Sequence, residues 1–211
     1  MTRMGIATLL GRTLTMAERY LKKKESGEDL FDPEMEALIP LLRKEIPAHI
    51  HAHRCDDILT ALRIMNEFNL NSTILHATDA KPIINEIKDA GIIPILGPFC
   101  GPAGKPENSM YSFKTASLLE KAGIDFAMTT DHDVFPVWLL IDFCAIAVRN
   151  GLSEEAALRS VTINGAKVAG VDDRVGSLRV GKDADIVVFD GHPLHYLSKV
   201  RAVFINGVRV R

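Results

Sequence analysis

The stretch that decides the fold is Pro47-Ala-His-Ile-His-Ala-His53, read together with Ser72-Thr-Ile-Leu-His76 and Phe126-Ala-Met-Thr-Thr-Asp131. Each is a short apolar run that ends in a polar side chain of a type that binds metals. Between the runs, apolar residues recur three and four apart, as on one face of a helix. Strands are predicted at about 47–53, 72–76, 92–97 and 124–130. Four strand-then-helix units in succession call for an α/β fold with a parallel sheet and right-handed crossovers. A barrel and an open doubly wound sheet both satisfy that rhythm, and both gather functional residues at the C-terminal strand ends. His51, His76 and Asp131 are therefore expected along one sheet edge.

Outward from the strands, helices are predicted over 5–24, with Ala7, Leu10, Leu14 and Ala17 on one face, and over 34–44, after a polar loop. Asp56 or Asp57 reads as the N-cap of a helix carrying Ile58, Leu62, Met65 and Phe68. Pro82 suits the first turn of the next helix, which buries Ile83 and Ile87 and stops at Gly91. Two further helices are expected, at about 111–122, stopped by Gly123, and at about 136–150, with Trp138, Ile141 and Val148 on its face. After residue 152 the pattern changes. Ser153 caps a helix with Glu154 and Glu155 in its first turn, where the dipole favours acids. Another short helix covers Ile163 to Ala169. The remainder is turn-rich and β-like, and Asn206-Gly207 between apolar residues signals a hairpin.

Composition narrows the function classes. In 211 residues the hydrophobic fraction is 47% and the charged fraction 25%, ordinary for a folded globular chain. A net charge of −2 gives no general attraction to nucleic acid or to an anionic membrane. Lys22-Lys-Lys24 reads as a solvated helix end. Cys55, Cys100 and Cys144 are too scattered for a disulfide framework and point to a reducing compartment. With no apolar stretch near ~18 residues and no cleavable leader pattern, a cytoplasmic location is expected.

His49, His51 and His53 alternate, so they share one strand face. Alone, such histidines read as a strand end opening to solvent, and His76 alone reads as structural. Asp131, between Thr130 and His132-Asp133, is also a candidate helix cap. Ligand-type residues at equivalent places on three of the four units favour a divalent metal, with zinc as first choice. The Gly97–Pro106 loop lacks the spacing of a phosphate cradle and reads as a rigid site-lining loop, with Lys105 in reach of a substrate. No G-x-G-x-x-G follows a strand, which weighs against a nucleotide binder.

The run from Gly151 to Val171, followed by Gly176-Ser-Leu-Arg-Val-Gly-Lys-Asp-Ala-Asp185, resembles the C-terminal signature of the metal-dependent amidohydrolase superfamily. Within it the chain is most similar to the imidazolonepropionase-like and prolidase-like enzymes. The resemblance implies the C-terminal half of a (β/α)8 barrel over residues 1–170, followed at 171–211 by β-strands of a small composite sandwich. It implies hydrolysis of an amide or other C–N bond by metal-activated water. His51 and His76 would hold the metal, and Asp131 would bind metal and act as general base. His53 is the alternative to His51 and otherwise, with Arg54 and His132, an implied substrate contact. An upstream first-strand H-x-H pair is not found, so the chain is expected to be part of a longer enzyme, completed by a missing half-barrel or by self-association as a homo-oligomer. Small-molecule substrates are expected, and neither nucleic acid nor membrane. The alternative is a non-catalytic remnant acting as a subunit or binding module.

Overall fold

Thr2 opens the first helix, α1 (Arg3–Glu25), by accepting the Gly5 N–H on its hydroxyl at 3.1 Å. The three lysines lie in its last turn, where they face the negative end of the dipole. The structure is a computed structural model and describes residues 2–101 and 105–211. Helix α1 buries Leu14, Ala17 and Tyr20, and Ala17 and Tyr20 pack against Met35 and Ile39. The single helix expected over 34–44 is in fact two, α2 (Pro33–Glu36) and α3 (Ile39–Leu42). Pro40 explains the break. It has no N–H, and in a continuous helix its ring would strike the carbonyl of Glu36, where α2 ends.

Strands β1 (Ala48–Ala52), β2 (Ser72–His76), β3 (Ile95–Leu96) and β4 (Ala127–Met128) form one parallel sheet in that order. Ala52 pairs with His76, His76 with Leu96, and Leu96 with Met128. That register aligns the C-terminal ends of all four strands. The last two are shorter than the predicted 92–97 and 124–130. Pro94 has no N–H for the ladder, and Gly97, at φ +118°, turns the chain out of it. One further bond on each side, Ala127 N–H to Pro94 O at 2.9 Å and Thr129 N–H to Leu96 O at 2.8 Å, continues the pairing of β3 with β4.

Helices α4 (Cys55–Glu67), α5 (Ile84–Ala90), α6 (Lys114–Lys121) and α7 (Leu140–Arg149) return the chain between strands and beyond the last. Their apolar faces and the sheet share one core that includes Ile58, Ile74, Ile87, Leu96, Leu119 and Phe126. Burying each such side chain contributes roughly 1.5–3 kcal/mol. The cap of α4 is Arg54, not Asp56 or Asp57. Both acids sit one step inside the helix, in its first turn. Helix α6 starts at Lys114, whose N–H donates to Ser112 Oγ at 3.2 Å, and α7 starts at Leu140 after a 3-10 turn that follows Pro136. Trp138 lies in that turn and is 71% exposed, so it does not face the core as expected.

Helices α8 (Glu154–Ser160) and α9 (Ile163–Ala169) follow, α8 capped by Ser153 as predicted. Asn164 ties α9 to the sheet by donating to Phe126 O at 2.9 Å. A separate antiparallel sheet contains β5 (Ile186–Phe189), β6 (Val200–Ile205) and β7 (Val208–Arg209). The hairpin falls at Asn206-Gly207, both with positive φ, 50° and 76°, as a two-residue primed turn requires. No described helix is long and apolar enough to cross a membrane. The middle of the Gly97–Pro106 loop, with Pro102 and Gly104, lies outside the described residues.

Candidate metal centre

Alternation along β1 sends His49, His51 and, just past its end, His53 to one face, but to different neighbours. His49 is drawn toward α9, where its Nε2 meets Val168 O at 3.2 Å. His51 and His53 instead meet His76 from the end of β2. The ring centroids are 4.3 Å apart for His51 and His76, and 4.5 Å for His53 and His76, the latter pair stacked. One ring nitrogen from each of the three lies within 4.8 Å of the other two.

His76 is the most tightly fixed of the three. It is 3% exposed, and its Nδ1 donates to Gly97 O at 2.6 Å. A carbonyl only accepts, so Nδ1 must carry the proton and Nε2 keeps its lone pair. That Nε2 faces His51 Nδ1 at 3.2 Å. Two nitrogens bound tetrahedrally to zinc at 2.0–2.1 Å stand about 3.3–3.4 Å apart, so the gap already has the right size. His53 Nδ1 pairs with Thr78 Oγ1 at 2.8 Å, which orients the third ring. Burial, then the proximity of His76 and His51, pulls the His53 imidazole down to about 4. Burial, then the proximity of His76, lowers His51, against the opposing pull of Asp131. Once a metal displaces the proton shared by His51 Nδ1 and His76 Nε2, the three imidazoles offer it one nitrogen each, and this donor set fits zinc.

The backbone is strained where these groups sit. His76, Ala77 and Asp131 have φ of 77°, 44° and 52°. Non-glycine residues in this region cost about 1–3 kcal/mol each and concentrate at functional sites. Gly97 allows the close approach that the site needs, since a Cβ there would lie 2.2 Å from Thr129 O.

Asp131 follows β4 at the same sheet edge. It lies outside the three-histidine group, yet its charge bears on His51 and on the Tyr111 phenol. Its N–H donates to Thr129 Oγ1 at 3.0 Å, and its carbonyl accepts from Val134 at 2.6 Å. Lys105 and Glu107 also act on His51 and His53 through their charges, which puts both at the mouth of the site. His132 is exposed. Arg54 is turned aside, its guanidinium held by both oxygens of Asp56 at 2.9 Å. Thr78, the Gly97 carbonyl and Tyr111 join the site without having been singled out from the sequence. Cys144 is fully buried and its thiol is pushed up to about 11 by burial, which agrees with a packing role. A cavity of about 480 Å³ adjoins His51 and His53 and runs along α1 past Ile6, Leu10 and Ile64.

Residues 34–210 match the model of the Amidohydrolase family. Imidazolonepropionase of Picrophilus torridus is 26% identical over 76% of this chain and 41% of its own length. An amidohydrolase from Thermotoga maritima superposes on the whole chain with a TM-score of 0.93 and 40% identity, over 56% of that protein. An adenosine deaminase from Xanthomonas campestris, solved with bound zinc, shares the fold at a TM-score of 0.59 and 21% identity, covering 78% of this chain and 45% of its own. The chain thus spans about half the length of these relatives. With residues 34–210 matching the family model, the chain belongs to the amidohydrolase family.

Proposed function

We propose that the chain is the metal-holding half of a hydrolase that cleaves an amide or related C–N bond in a small molecule. The observation that carries this reading is the His51–His53–His76 cluster, with the His76 Nδ1 proton directed away from the shared gap by Gly97 O. In this reading His51 and His76 hold the metal and His53 completes or replaces the His51 contact. A divalent metal, zinc first, would supply Lewis acidity and a water of lowered pKa. Asp131 would offer the metal a carboxylate, and as general base it would take the proton of the attacking water and return it to the leaving nitrogen. Lys105, His132 and Arg54 remain the proposed substrate contacts. Arg54 reaches a substrate only by leaving Asp56.

The four strand–helix units of residues 1–170 are read as half of a (β/α)8 barrel, and 171–211 as part of a composite β-sandwich. Among the described residues the outer edges of β1 and β4 have no strand partner. Unpaired edges of this kind invite further strands. A complementary half-barrel or a second copy of this chain would supply them. The same open edges favour the second reading, a non-catalytic subunit or binding module.

The test is hydrolysis of cyclic amides and Xaa-Pro dipeptides by the chain, alone and with the complementary half of the Thermotoga relative, in the presence of zinc. Turnover that Asp131→Asn removes supports the hydrolase. Zinc uptake without turnover under any of these conditions supports the binding module. Full turnover by Asp131→Asn overturns the assigned base.

A further inference from the structure

The loop between β5 and β6 carries Gly191-His-Pro-Leu-His195, which the proposed reaction does not use. Leu194 is 8% exposed and belongs to the main core, so it pins the loop against the helices. The turn is closed by His195 N–H donating to His192 O at 2.9 Å and by Ser198 N–H donating to His195 O at 2.9 Å. Asp190 secures the base of the loop. Its carboxylate accepts the Lys199 N–H at 2.7 Å and pairs with Arg201 at 2.7 Å. His192 and His195 therefore stand side by side on an anchored turn, with ring centroids 5.4 Å apart.

Glu154, in the first turn of α8, completes the group. Its Oε2 is 3.7 Å from His192 Nε2, and one donor atom from each of the three residues lies within 4.8 Å of the others. We propose that His192, His195 and Glu154 form a second divalent-cation site, for zinc or a similar borderline ion, that clips the β5–β6 loop to α8. Two imidazoles and one carboxylate are a zinc donor set. Donors on a tetrahedral zinc stand about 3.3–3.4 Å apart, so the 3.7 Å gap needs only a small closing movement. The side chains are free enough to make it, since Glu154 and His195 are exposed and His192 is half-buried. The Leu194 N–H reaches His192 Nδ1 at 3.4 Å, a long contact that is readily given up when the ring proton moves from Nε2 to Nδ1 and frees the Nε2 lone pair for the cation. The bare alternative is an ion pair between His192 and Glu154 with no cation.

This site shares no residue with the strand-end cluster, so it stands or falls separately from the hydrolase reading. Zinc is titrated into the 211-residue chain against a chromophoric chelator, for the wild type, His192→Ala, His195→Ala, Glu154→Gln and the His51→Ala/His76→Ala double variant. Two equivalents are expected in the wild type, the weaker one lost in either His192→Ala or His195→Ala. Glu154→Gln weakens that equivalent by at least about tenfold. The double variant keeps the weaker equivalent and loses the other, and zinc still raises its melting temperature because the ion binds only the folded loop. Should the double variant not fold, the fall from two equivalents to one between the wild type and His195→Ala decides the matter alone. Zinc uptake by the wild type that is left unchanged in both His192→Ala and His195→Ala overturns the proposal, whatever the number of equivalents.

Discussion

Among the described residues two clusters combine histidines with the spacing of metal donors, and they are built in opposite ways. At the sheet edge, two imidazoles come from the paired strands β1 and β2 and the third from the residue just past β1, and one of them is 3% exposed with its Nδ1 held by a backbone carbonyl. On the β5–β6 loop, two imidazoles and a carboxylate stand on an anchored turn and a helix end, with two of the three side chains exposed. The first is held by backbone that cannot move without breaking the sheet. The second is held by one buried leucine and two turn bonds. Preorganisation separates a site shaped for chemistry from one able only to fasten two pieces of chain.

The largest effect that would break this comparison is at Asp131. In the assembled enzyme, Asp131→Asn is expected to lower kcat by about 10²–10⁴-fold, the usual contribution of a positioned base, while circular dichroism stays unchanged. Next is Gly97→Ala. Its Cβ would enter the space of Thr129 O at 2.2 Å, at a φ of +118°. Separating β3 from β4 should cost about 3 kcal/mol or more in urea unfolding, together with loss of the strand-end zinc. His76→Ala removes a proposed ligand and leaves Gly97 O without its imidazole partner, and about 2–3 kcal/mol of stability should go with it. No single change at His192 or His195 should approach either stability loss.

A pH series sharpens the contrast further. The folded chain holds His53 near 4, below its ordinary value of 6.5. Between those values the unfolded chain binds the extra proton and the folded chain does not. Stability contributed by neutral His53 is therefore complete above about pH 6.5 and is lost as the pH falls toward 4. Metal-free melting temperatures should fall over that window, and the fall should be smaller in His53→Gln. The smallest effect is expected at Arg54. Arg54→Ala frees Asp56, whose carboxyl should rise from about 2 toward its usual 3.8 in an NMR titration, with zinc uptake unchanged.

The strand ends were legible because strand and helix periods differ sharply and because ligand-type residues recurred at matching places. His51, His76 and Asp131 could be named from that pattern alone, and the structure lays all three along one sheet edge. His53 was visible only as a substitute for His51, whereas the structure groups it with both His51 and His76. Its place depends on how the chain turns after Ala52, which spacing does not encode. The Gly97 carbonyl was invisible because every residue has one, and only the fold decides which carbonyl meets an imidazole. The break at Pro40 follows from proline chemistry, although the apolar spacing around it read as one helix. The Glu154–His192–His195 group joins a helix end to a distant loop, a contact that local pattern reading does not reach.

The central claim is that the three strand-end histidines enclose a metal. It is tested most directly by an anomalous difference map at the zinc edge, from crystals of the chain grown with zinc. The account predicts a peak bounded by His51, His53 and His76, stronger than any peak beside His192 and His195. A map with no peak among the three strand-end histidines would contradict it.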